Sequence, residues 1–456
     1  MSRPIGGTVA APADPALVAE TVELCSRLVR FDTSNFGGGQ ARGERACAEW
    51  IAQQLADVGY QPLVLEAAPR RANTVVRIPG ADPGAPALLV HGHLDVVPAD
   101  SADWSFDPFA GEVRDGAVWG RGALDMKDMV AMMLAVARCF GRRGFVPPRD
   151  IVLAFVADEE DSGQYGASFL VRRHAELFEG VRTAIGESGG YCVHLPDGGR
   201  LYPIAAGERG SAWMNLVAKG PAGHGSRPNP GNAVAALAAA VDRLARHVWP
   251  VHLTPTVASL LDGLRAHLGV DIDPADPATL DRLGDAAALV RPVISNSLNP
   301  TMLSAGYKHN VVPSTATAGV DGRILPGAEE AFFDTVDELL GDQVTREMLG
   351  YGAPIAARHD TAEFAAMAAA LRAQDPQALV LPSCTGGGTD AKKFSRLGIQ
   401  CYGFSPASAP PGFHQDDYVH GVDERVLVQS LEFGVEVLRR YLSSAVTPAS
   451  PSISNL

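Results

Sequence analysis

The sequence has no paired cysteine spacing, no long apolar run and no excess of positive charge. Its six cysteines are far apart and include no CxxC motif, which argues against a disulfide framework and favours reduced thiols in a cytoplasmic protein. No stretch approaches the ~18 apolar residues of a membrane span, and the N-terminal residues lack the apolar core of a signal peptide. The net charge of −14 argues against a nucleic-acid binder and a polybasic membrane anchor. We therefore expect a cytoplasmic protein that binds neither nucleic acid nor membranes.

The chain is long, and its apolar residues follow two patterns that alternate regularly. Its 456 residues exceed one ordinary hydrophobic core. Apolar runs alternate with segments of helical periodicity, which predicts an α/β fold with a mostly parallel central sheet sandwiched by helices. The pattern changes near residue 209, so a smaller α+β domain is expected to be inserted there. The expected parts are a main domain in two pieces, 1–208 and 326–442, an inserted domain, 209–325, and a disordered tail, 443–456.

Residues 88–128 form the stretch around which the rest is organised. A continuous apolar run ends in His91-Gly92-His93-Leu94-Asp95, and buried strands of α/β sheets often deliver polar side chains at their carboxyl ends. His93 and Asp95 point to the same side of a strand, so Asp95 can hold the His93 imidazole in one tautomer. The alternative is a polar strand end with a loop aspartate. His91 shares the strand face of His93 and is interpreted as structural.

Further acidic residues follow other apolar runs. Asp158-Glu159-Glu160-Asp161 comes directly after one, Glu187 after another, and Asp125 after a glycine-rich stretch. Four adjacent acids repel one another, which is tolerable in a solvated loop or beside a cation. A solvated acidic loop is the common case, and it stays open at this point.

The candidate ligands are two imidazoles, His93 and His414, and the four carboxylates of Asp125, Glu159, Glu160 and Glu187. A pair of zinc ions needs such a set, with one bridging carboxylate and a further carboxylate as base. Nitrogen and oxygen ligands suit zinc, with cobalt or manganese as substitutes.

Several motifs, in order, resemble those of the aminoacylase and glutamate-carboxypeptidase family of dinuclear zinc hydrolases. The motifs are HGHLDVVP, GRGALDMKD, DEED, GES, GGGTD and HQDD, and the resemblance covers roughly residues 15–440. That family includes acetylornithine deacetylase, succinyl-diaminopimelate desuccinylase, aminoacylase, carboxypeptidase S and dipeptidases. The resemblance implies a zinc-exopeptidase-like catalytic domain with an inserted lid or dimerisation domain.

The resemblance also implies roles for the candidate residues. His93 and Glu187 would bind one zinc ion, Glu160 and His414 the other, and Asp125 would bridge both. Glu159 would act as general base and acid, and Asp95 would orient His93. The Asp125-Met126 peptide is cis in this family.

The inserted domain and the late glycine-rich loop would supply contacts to the substrate. By the resemblance, His224 would help to hold the oxyanion, and Asn310 and Arg323 would bind a substrate carboxylate, which suits the planar guanidinium fork. Gly388 and Thr389 would bring backbone close to the substrate. A homodimer through the inserted domain is expected.

Two departures from the family pattern concern the late histidine and the inserted domain. The family's late motif has Asp-Glu three residues after its histidine, whereas His414 is followed by Gln-Asp-Asp-Tyr. The irregular segment 250–300 enlarges the inserted domain. The sequence predicts a zinc amidohydrolase of carboxypeptidase, dipeptidase or aminoacylase type, acting on a short peptide or N-acyl amino acid with a free carboxylate. The alternatives are a biosynthetic deacylase and a catalytically silent binding protein on the same scaffold.

Overall fold

The computed structural model describes residues 14–446. The chain forms two compact units. The first takes its described residues from Met1–Ala206, Ala357–Pro382 and Thr389–Leu456, and the second consists of Gly207–Ala356 and Ser383–Gly388.

The α-helices of the described residues are α1 (Pro15–Val29), α2 (Arg45–Ala56), α3 (Lys127–Arg143), α4 (Ala167–Arg173), α5 (Ala233–Arg246), α6 (Pro255–Leu268), α7 (Pro277–Leu280), α8 (Ala287–Val290), α9 (Glu329–Leu340), α10 (Ala362–Gln374), α11 (Ala391–Phe394) and α12 (Val428–Ser443).

The β-strands are β1 (Asn35–Gly37), β2 (Gln40–Ala41), β3 (Leu63–Ala68), β4 (Arg71–Ile78), β5 (Ala87–His93), β6 (Glu112–Arg114), β7 (Ala117–Trp119), β8 (Ile151–Val156), β9 (Val181–Gly186), β10 (Val193–His194), β11 (Arg200–Glu208), β12 (Gly210–Lys219), β13 (Gly223–His224), β14 (Ser297–Ala305), β15 (Val311–Val312), β16 (Thr315–Ile324), β17 (Val344–Gly352), β18 (Ile355–Ala356), β19 (Leu379–Thr385), β20 (Gln400–Gly403) and β21 (Arg425–Leu427).

The central sheet of the first unit has the strand order β10-β11-β20-β9-β5-β8-β4-β3. Its middle strands β20, β9, β5 and β8 are parallel, whereas the strands at both edges are antiparallel. Every residue of β5 and of β8 is buried, as expected of parallel strands that are covered on both faces. The predicted α/β fold with a mostly parallel central sheet is confirmed.

Helices cover this sheet on both faces, as two successive residues of β5 demonstrate. The His91 ring lies 4.9 Å from the ring of Phe394 in α11. A Cβ atom on Gly92 would lie 3.1–3.2 Å from the side chains of Met126 and Val130, at the start of α3. Since neighbouring residues of a strand point to opposite faces, α11 and α3 cover opposite faces of the sheet.

The second unit contains an antiparallel sheet of order β14-β16-β12-β17. α5 packs against β12, β14 and β16, and α9 packs against α5 and β17, so that the apolar side chains of both helices and the sheet form a separate core. The unit reaches Ala356 and so extends beyond the predicted boundary at residue 325. The reason is that β17 pairs with β12 in this sheet rather than with the central one, and α9 packs against β17. Segment 250–300 contributes α6, α7 and α8.

Two features of the C-terminal region differ from expectation or lie outside the described residues. A helix is predicted over 424–442, but Arg425–Leu427 is β21, which pairs with β7, and α12 begins only at Val428. The predicted tail overlaps α12 at Ser443, and its residues 447–456 lie outside the described part. Among residues 14–446, every helix is too short or too polar to cross a bilayer.

Candidate metal centre

Three parallel strands of the first unit end at one edge of the sheet, and each delivers a side chain able to bind metal. β5 ends at His93, β8 is followed by Glu159 and Glu160, and β9 is followed by Glu187. Ligand atoms of His93, Glu159 and Glu187 lie within 4.8 Å of one another, as do those of His93, Asp125 and Glu160. The carboxyl ends of parallel strands meet at the same edge, so residues from distant parts of the sequence converge here.

His93 is held by the backbone of Asp95. Its side chain is 1% exposed, and its Nδ1 lies 2.9 Å from the Asp95 carbonyl oxygen. Because a carbonyl oxygen can only accept, Nδ1 donates, and Nε2 is directed at Oδ1 of Asp125, 2.9 Å away. Burial alone would lower the pKa of His93, but the hydrogen bond to Asp125 and the charge of Glu187 raise it well above its ordinary value. A cation at this place would replace the Nε2 proton.

The Asp95 carboxylate binds the backbone of the Glu159–Glu160 loop, whereas it was expected to bind the His93 imidazole. Its Oδ1 lies 3.7 Å from His93 Nδ1, beyond hydrogen-bond distance. Instead it accepts hydrogen bonds from the backbone N–H groups of Glu159 at 3.0 Å and Glu160 at 3.1 Å. The Asn35 amide also donates to it, at 2.9 Å. Asp95 thus fixes the loop that carries the two glutamates, while its carbonyl orients His93.

Asp158, the first of the four adjacent acids, belongs to the scaffold. It is fully buried and accepts hydrogen bonds from Arg71 at 2.8 Å and from the backbone N–H of Tyr165 at 3.1 Å. Arg71 also forms an ion pair with Glu44, at 2.9 Å. The acidic loop is therefore not the solvated loop that was one possibility from the sequence, because its first residue, Asp158, is buried and paired with Arg71.

His420, and not His414, completes the cluster. Nε2 of His420 lies 3.1 Å from Oδ2 of Asp125 and 3.3 Å from Oε2 of Glu160. Hydrogen bonds to Asp125 and Glu160 raise the pKa of His420 to about 10. His414 lies in an exposed turn before Gln415–Asp417. The structure therefore brings His420, rather than the predicted His414, to Asp125 and Glu160.

The sequence did contain a signal for this histidine. His420-Gly421-Val422-Asp423-Glu424 has Asp-Glu three residues after a histidine, which is the spacing that His414 does not have. The prediction missed this histidine because it placed the late motif at HQDD. The departure from the family pattern disappears once the motif is placed six residues later.

The residues of the cluster fit a pair of divalent cations that share one aspartate. The two oxygens of Asp125 face two different imidazoles, those of His93 and His420. Burial raises the pKa of Glu159 well above its ordinary value, and the nearby charge of Glu187 raises it further. Oε1 of Glu160 is buried with no hydrogen-bond partner. Crowded carboxylates of this kind are stabilised in their charged form by a cation, and their nitrogen and oxygen donors suit zinc, cobalt or manganese.

The predicted substrate-binding residues lie mostly in the second unit. His224 in β13 pairs with Val311 in β15, and its Nδ1 contacts Ser226 Oγ at 2.8 Å. The neighbouring Gly225 donates its backbone N–H to the Asn310 carbonyl at 2.9 Å, which brings the His224 turn next to Asn310. Arg323 in β16 forms an ion pair with Asp321, at 2.9 Å.

The late glycine-rich loop is divided between the two units. Gly388 ends the second segment of the second unit, and Thr389 begins the last segment of the first. Thr389 is buried, and its Oγ1 accepts a hydrogen bond from the Ala391 backbone N–H at 3.1 Å. The substrate-binding roles of these residues stay predictions.

Comparisons with known proteins identify the family to which the chain belongs. A family model described as Peptidase family M20/M25/M40 matches residues 89–444. The chain is 30% identical over 395 residues to human (Homo sapiens) N-fatty-acyl-amino acid synthase/hydrolase PM20D1, covering 82% of this chain and 77% of that protein. It is 27% identical over 417 residues to Aminoacylase-1 of Sus scrofa, covering 90% of this chain and 92% of that protein.

A solved structure has the same fold. The M20 family metallo-carboxypeptidase Sso-CP2 from Sulfolobus solfataricus superposes with a TM-score of 0.70 at 16% identity, over 93% of this chain and 98% of that one. The family model spans most of the chain and includes every strand end that carries a candidate ligand. The chain therefore belongs to Peptidase family M20/M25/M40, a family of dinuclear metallopeptidases and aminoacylases.

Proposed function

We propose that this protein is a metal-dependent amidohydrolase that cleaves the amide bond of an N-acyl amino acid or a short peptide with a free carboxylate. The observation that carries the proposal is the placement of Asp125 between His93 and His420, with Glu159, Glu160 and Glu187 around them. That arrangement supports two adjacent cation sites that share one carboxylate, the arrangement used by two-metal hydrolases.

The contacts support one assignment of the ligands. His93 and Glu187, whose Nε2 and Oε2 atoms lie 3.9 Å apart, would hold the first ion. Glu160 and His420 would hold the second, and Asp125 would be shared by both. Zinc is the proposed metal, because it accepts mixed nitrogen and oxygen ligands in open catalytic sites; cobalt and manganese are the proposed substitutes.

Glu159 is the proposed proton carrier. When bound, the ions supply Lewis-acid chemistry, which polarises the substrate carbonyl and makes water acidic enough to attack it near neutral pH. Glu159 accepts the proton of that water on its carboxylate and returns it to the leaving amine. The backbone of Glu159 is fixed by Asp95, which holds the base at the strand end and favours one direction for its side chain.

Five residues are proposed to contact the substrate. Arg323 and Asn310 bind the free carboxylate of the substrate, and His224 donates to the oxyanion. Gly388 and Thr389 bring backbone next to the substrate. The two relatives named for N-fatty-acyl-amino acids and as an aminoacylase support an N-acyl amino acid over a longer peptide, since both names describe chemistry on an acylated amino acid.

The decisive experiment is hydrolysis of a substrate panel by metal-loaded and chelator-treated protein. The panel contrasts dipeptides with N-acetyl, N-succinyl and long-chain N-acyl amino acids, each with its C-terminal amide as a matched control. We expect turnover that requires metal, returns with zinc, cobalt or manganese, and falls when the carboxylate is amidated. Metal binding without turnover on any member of the panel would favour the silent binding protein.

A homodimer through the second unit is the proposed assembly. The edge strand β14 pairs only with β16 among the described strands, and its Met302 and Leu303 are 72% and 69% exposed. Exposed apolar residues on an open strand edge favour pairing with another chain. Light scattering of the wild type and of Met302→Lys tests this proposal, and a monomeric wild type would reject it.

The proposed compartment is the cytoplasm. All six cysteines lie among the described residues, none of them in a disulfide, and five of them are buried, which suits a reducing environment. Cell fractionation with an antibody to the protein tests this proposal, and its recovery from the secreted fraction would reject it.

A further inference from the structure

The carboxylate of Glu424 accepts several hydrogen bonds from the loop that carries Asp125. Its side chain is fully buried and accepts hydrogen bonds from Arg121 at 2.6 Å, from the backbone N–H groups of Gly122 at 3.0 Å and Leu124 at 2.8 Å, and from that of Asp125 at 3.2 Å. Four donors converge on one side chain. Asp125, the proposed bridging residue, is among the donors through its own backbone N–H.

The backbone of Glu424 also binds the start of the loop from β7 to α3. Gly120 has φ +145°, and a Cβ atom there would lie 2.3 Å from Val29, so the chain turns tightly with no side chain of its own at that point. The Gly120 backbone N–H donates to the Glu424 carbonyl at 2.9 Å. Glu424 therefore binds both ends of the segment from Gly120 to Asp125.

Arg121, which pairs with Glu424, also contacts the loop that carries His420. Its second guanidinium nitrogen donates to the carbonyl oxygen of His420 at 3.2 Å, and its guanidinium lies over the Trp104 ring at 5.1 Å. The planar fork of arginine can serve both acceptors at once. Glu424 and Arg121 thus join the loop of Asp125 to the loop of His420.

We propose that Glu424 and Arg121 are a buried positioning pair that sets the placement of Asp125 relative to His420, and so the affinity of the site for the second cation. This inference rests on the proposed function, since it concerns the same two-cation site. Both side chains contact the loops that carry Asp125 and His420. Because their contacts are on the side of Asp125 and His420, the first cation, held also by His93 and Glu187, depends on them less.

The test is Glu424→Gln, which keeps size and removes the charge. A carboxamide has one oxygen and directs its NH₂ group at backbone N–H donors, so it cannot accept all four hydrogen bonds. The matched control is Glu432→Gln, an exposed glutamate of α12. Equilibrium dialysis with cobalt counts the ions and gives the two affinities, while circular dichroism follows the fold and steady-state kinetics separates kcat from KM.

We expect Glu424→Gln to fold, to retain one tightly bound cobalt ion and to bind the second about 10- to 100-fold more weakly, the range found when outer contacts of metal ligands are removed. At limiting metal, kcat falls with little change in KM, and excess cobalt restores part of it. The control keeps both affinities. A folded Glu424→Gln protein with wild-type affinity for both ions, or with both affinities reduced equally, would overturn the proposal.

Arg121→Lys provides an independent variant, because lysine keeps the charge but cannot reach Glu424 and the His420 carbonyl together. It should weaken the second cobalt site in the same way. If neither variant yields folded protein, the pair is a determinant of folding and the proposal is rejected. A wild type that binds two cobalt ions without hydrolysis contradicts the proposed function alone, since the affinities still test the pair.

Discussion

The imidazole of His420 lies 3.1 Å from the carboxylate of Asp125, although the two residues come from distant parts of the chain. The other oxygen of Asp125 faces His93 at 2.9 Å. One aspartate therefore contacts two imidazoles, one through each of its carboxylate oxygens. This relationship makes His420 the proposed late histidine of the site and gives a direct way to test it.

Replacement of His420 by alanine should remove one of the two bound ions and reduce kcat/KM by orders of magnitude. The reason is that the second cation loses its only imidazole ligand, while His93 and Glu187 still hold the first. Metal analysis of dialysed protein and steady-state kinetics provide the measurement. His414→Ala is the matched control and should behave as wild type; loss of an ion from His414→Ala, with His420→Ala unaffected, would reverse the assignment.

Glu159→Gln should keep the fold and both ions while kcat falls by about 10²- to 10⁴-fold, the usual contribution of a general base. A carboxamide cannot take up a proton at neutral pH, but its size preserves the packing at the strand end. Metal analysis decides whether Glu159 is a general base or a metal ligand. Loss of an ion would make Glu159 a ligand, consistent with its distance to His93 and Glu187, and near-wild-type turnover would reject its role as base.

Asp95→Asn should release the loop that carries Glu159 and Glu160. The amide NH₂ group of asparagine would face one of the two backbone N–H donors, and an unpaired buried donor costs about 1–3 kcal/mol. Urea unfolding measures that loss of stability, with Asp103→Asn at an exposed position as control. Because the Asp95 carbonyl still binds His93, the first ion should stay in place; its selective loss would show that the carboxylate orients His93 after all.

Gly186→Ala should disturb the strand end before Glu187, because the new Cβ atom would lie 2.4 Å from the His91 ring. Overpacking of a filled core costs about 1–3 kcal/mol. Thermal unfolding and ion counts should both report the change, with weaker binding of the first ion. The double variant Gly186→Ala with His91→Ala should recover ion binding, since the added methyl then has room. Failure of that rescue would mean that the steric contact with His91 is not the cause.

Much of the architecture and part of the site follow from local pattern. Continuous apolar runs predict β5, β8 and β9, and a polar side chain directly after such a run must lie at the sheet edge. This places His93, Glu159, Glu160 and Glu187 without knowledge of the rest of the fold. The expected family is likewise confirmed, because the family model matches residues 89–444.

Other features depend on contacts between distant segments and could not be predicted in the same way. Arg425–Leu427 has a helix-like neighbourhood in sequence but becomes a strand, because β7 offers it a partner. The second unit extends to Ala356 because β17 finds its partner in β12. Sequence periodicity indicates which side of a helix or strand is apolar. Which strand it then pairs with depends on the segments that the fold of the whole chain places next to it.

The sequence by itself determined the chemistry that this protein has available: an imidazole and several carboxylates at the ends of buried parallel strands. Only the tertiary structure decided that His420 rather than His414 approaches Asp125, and that the Asp95 carboxylate holds the glutamate loop rather than His93. The physical reason is that a strand fixes the direction of its own side chains through local geometry. A loop such as 410–424, in contrast, takes its position from buried contacts like that of Glu424 with Arg121, whose partners are distant in sequence.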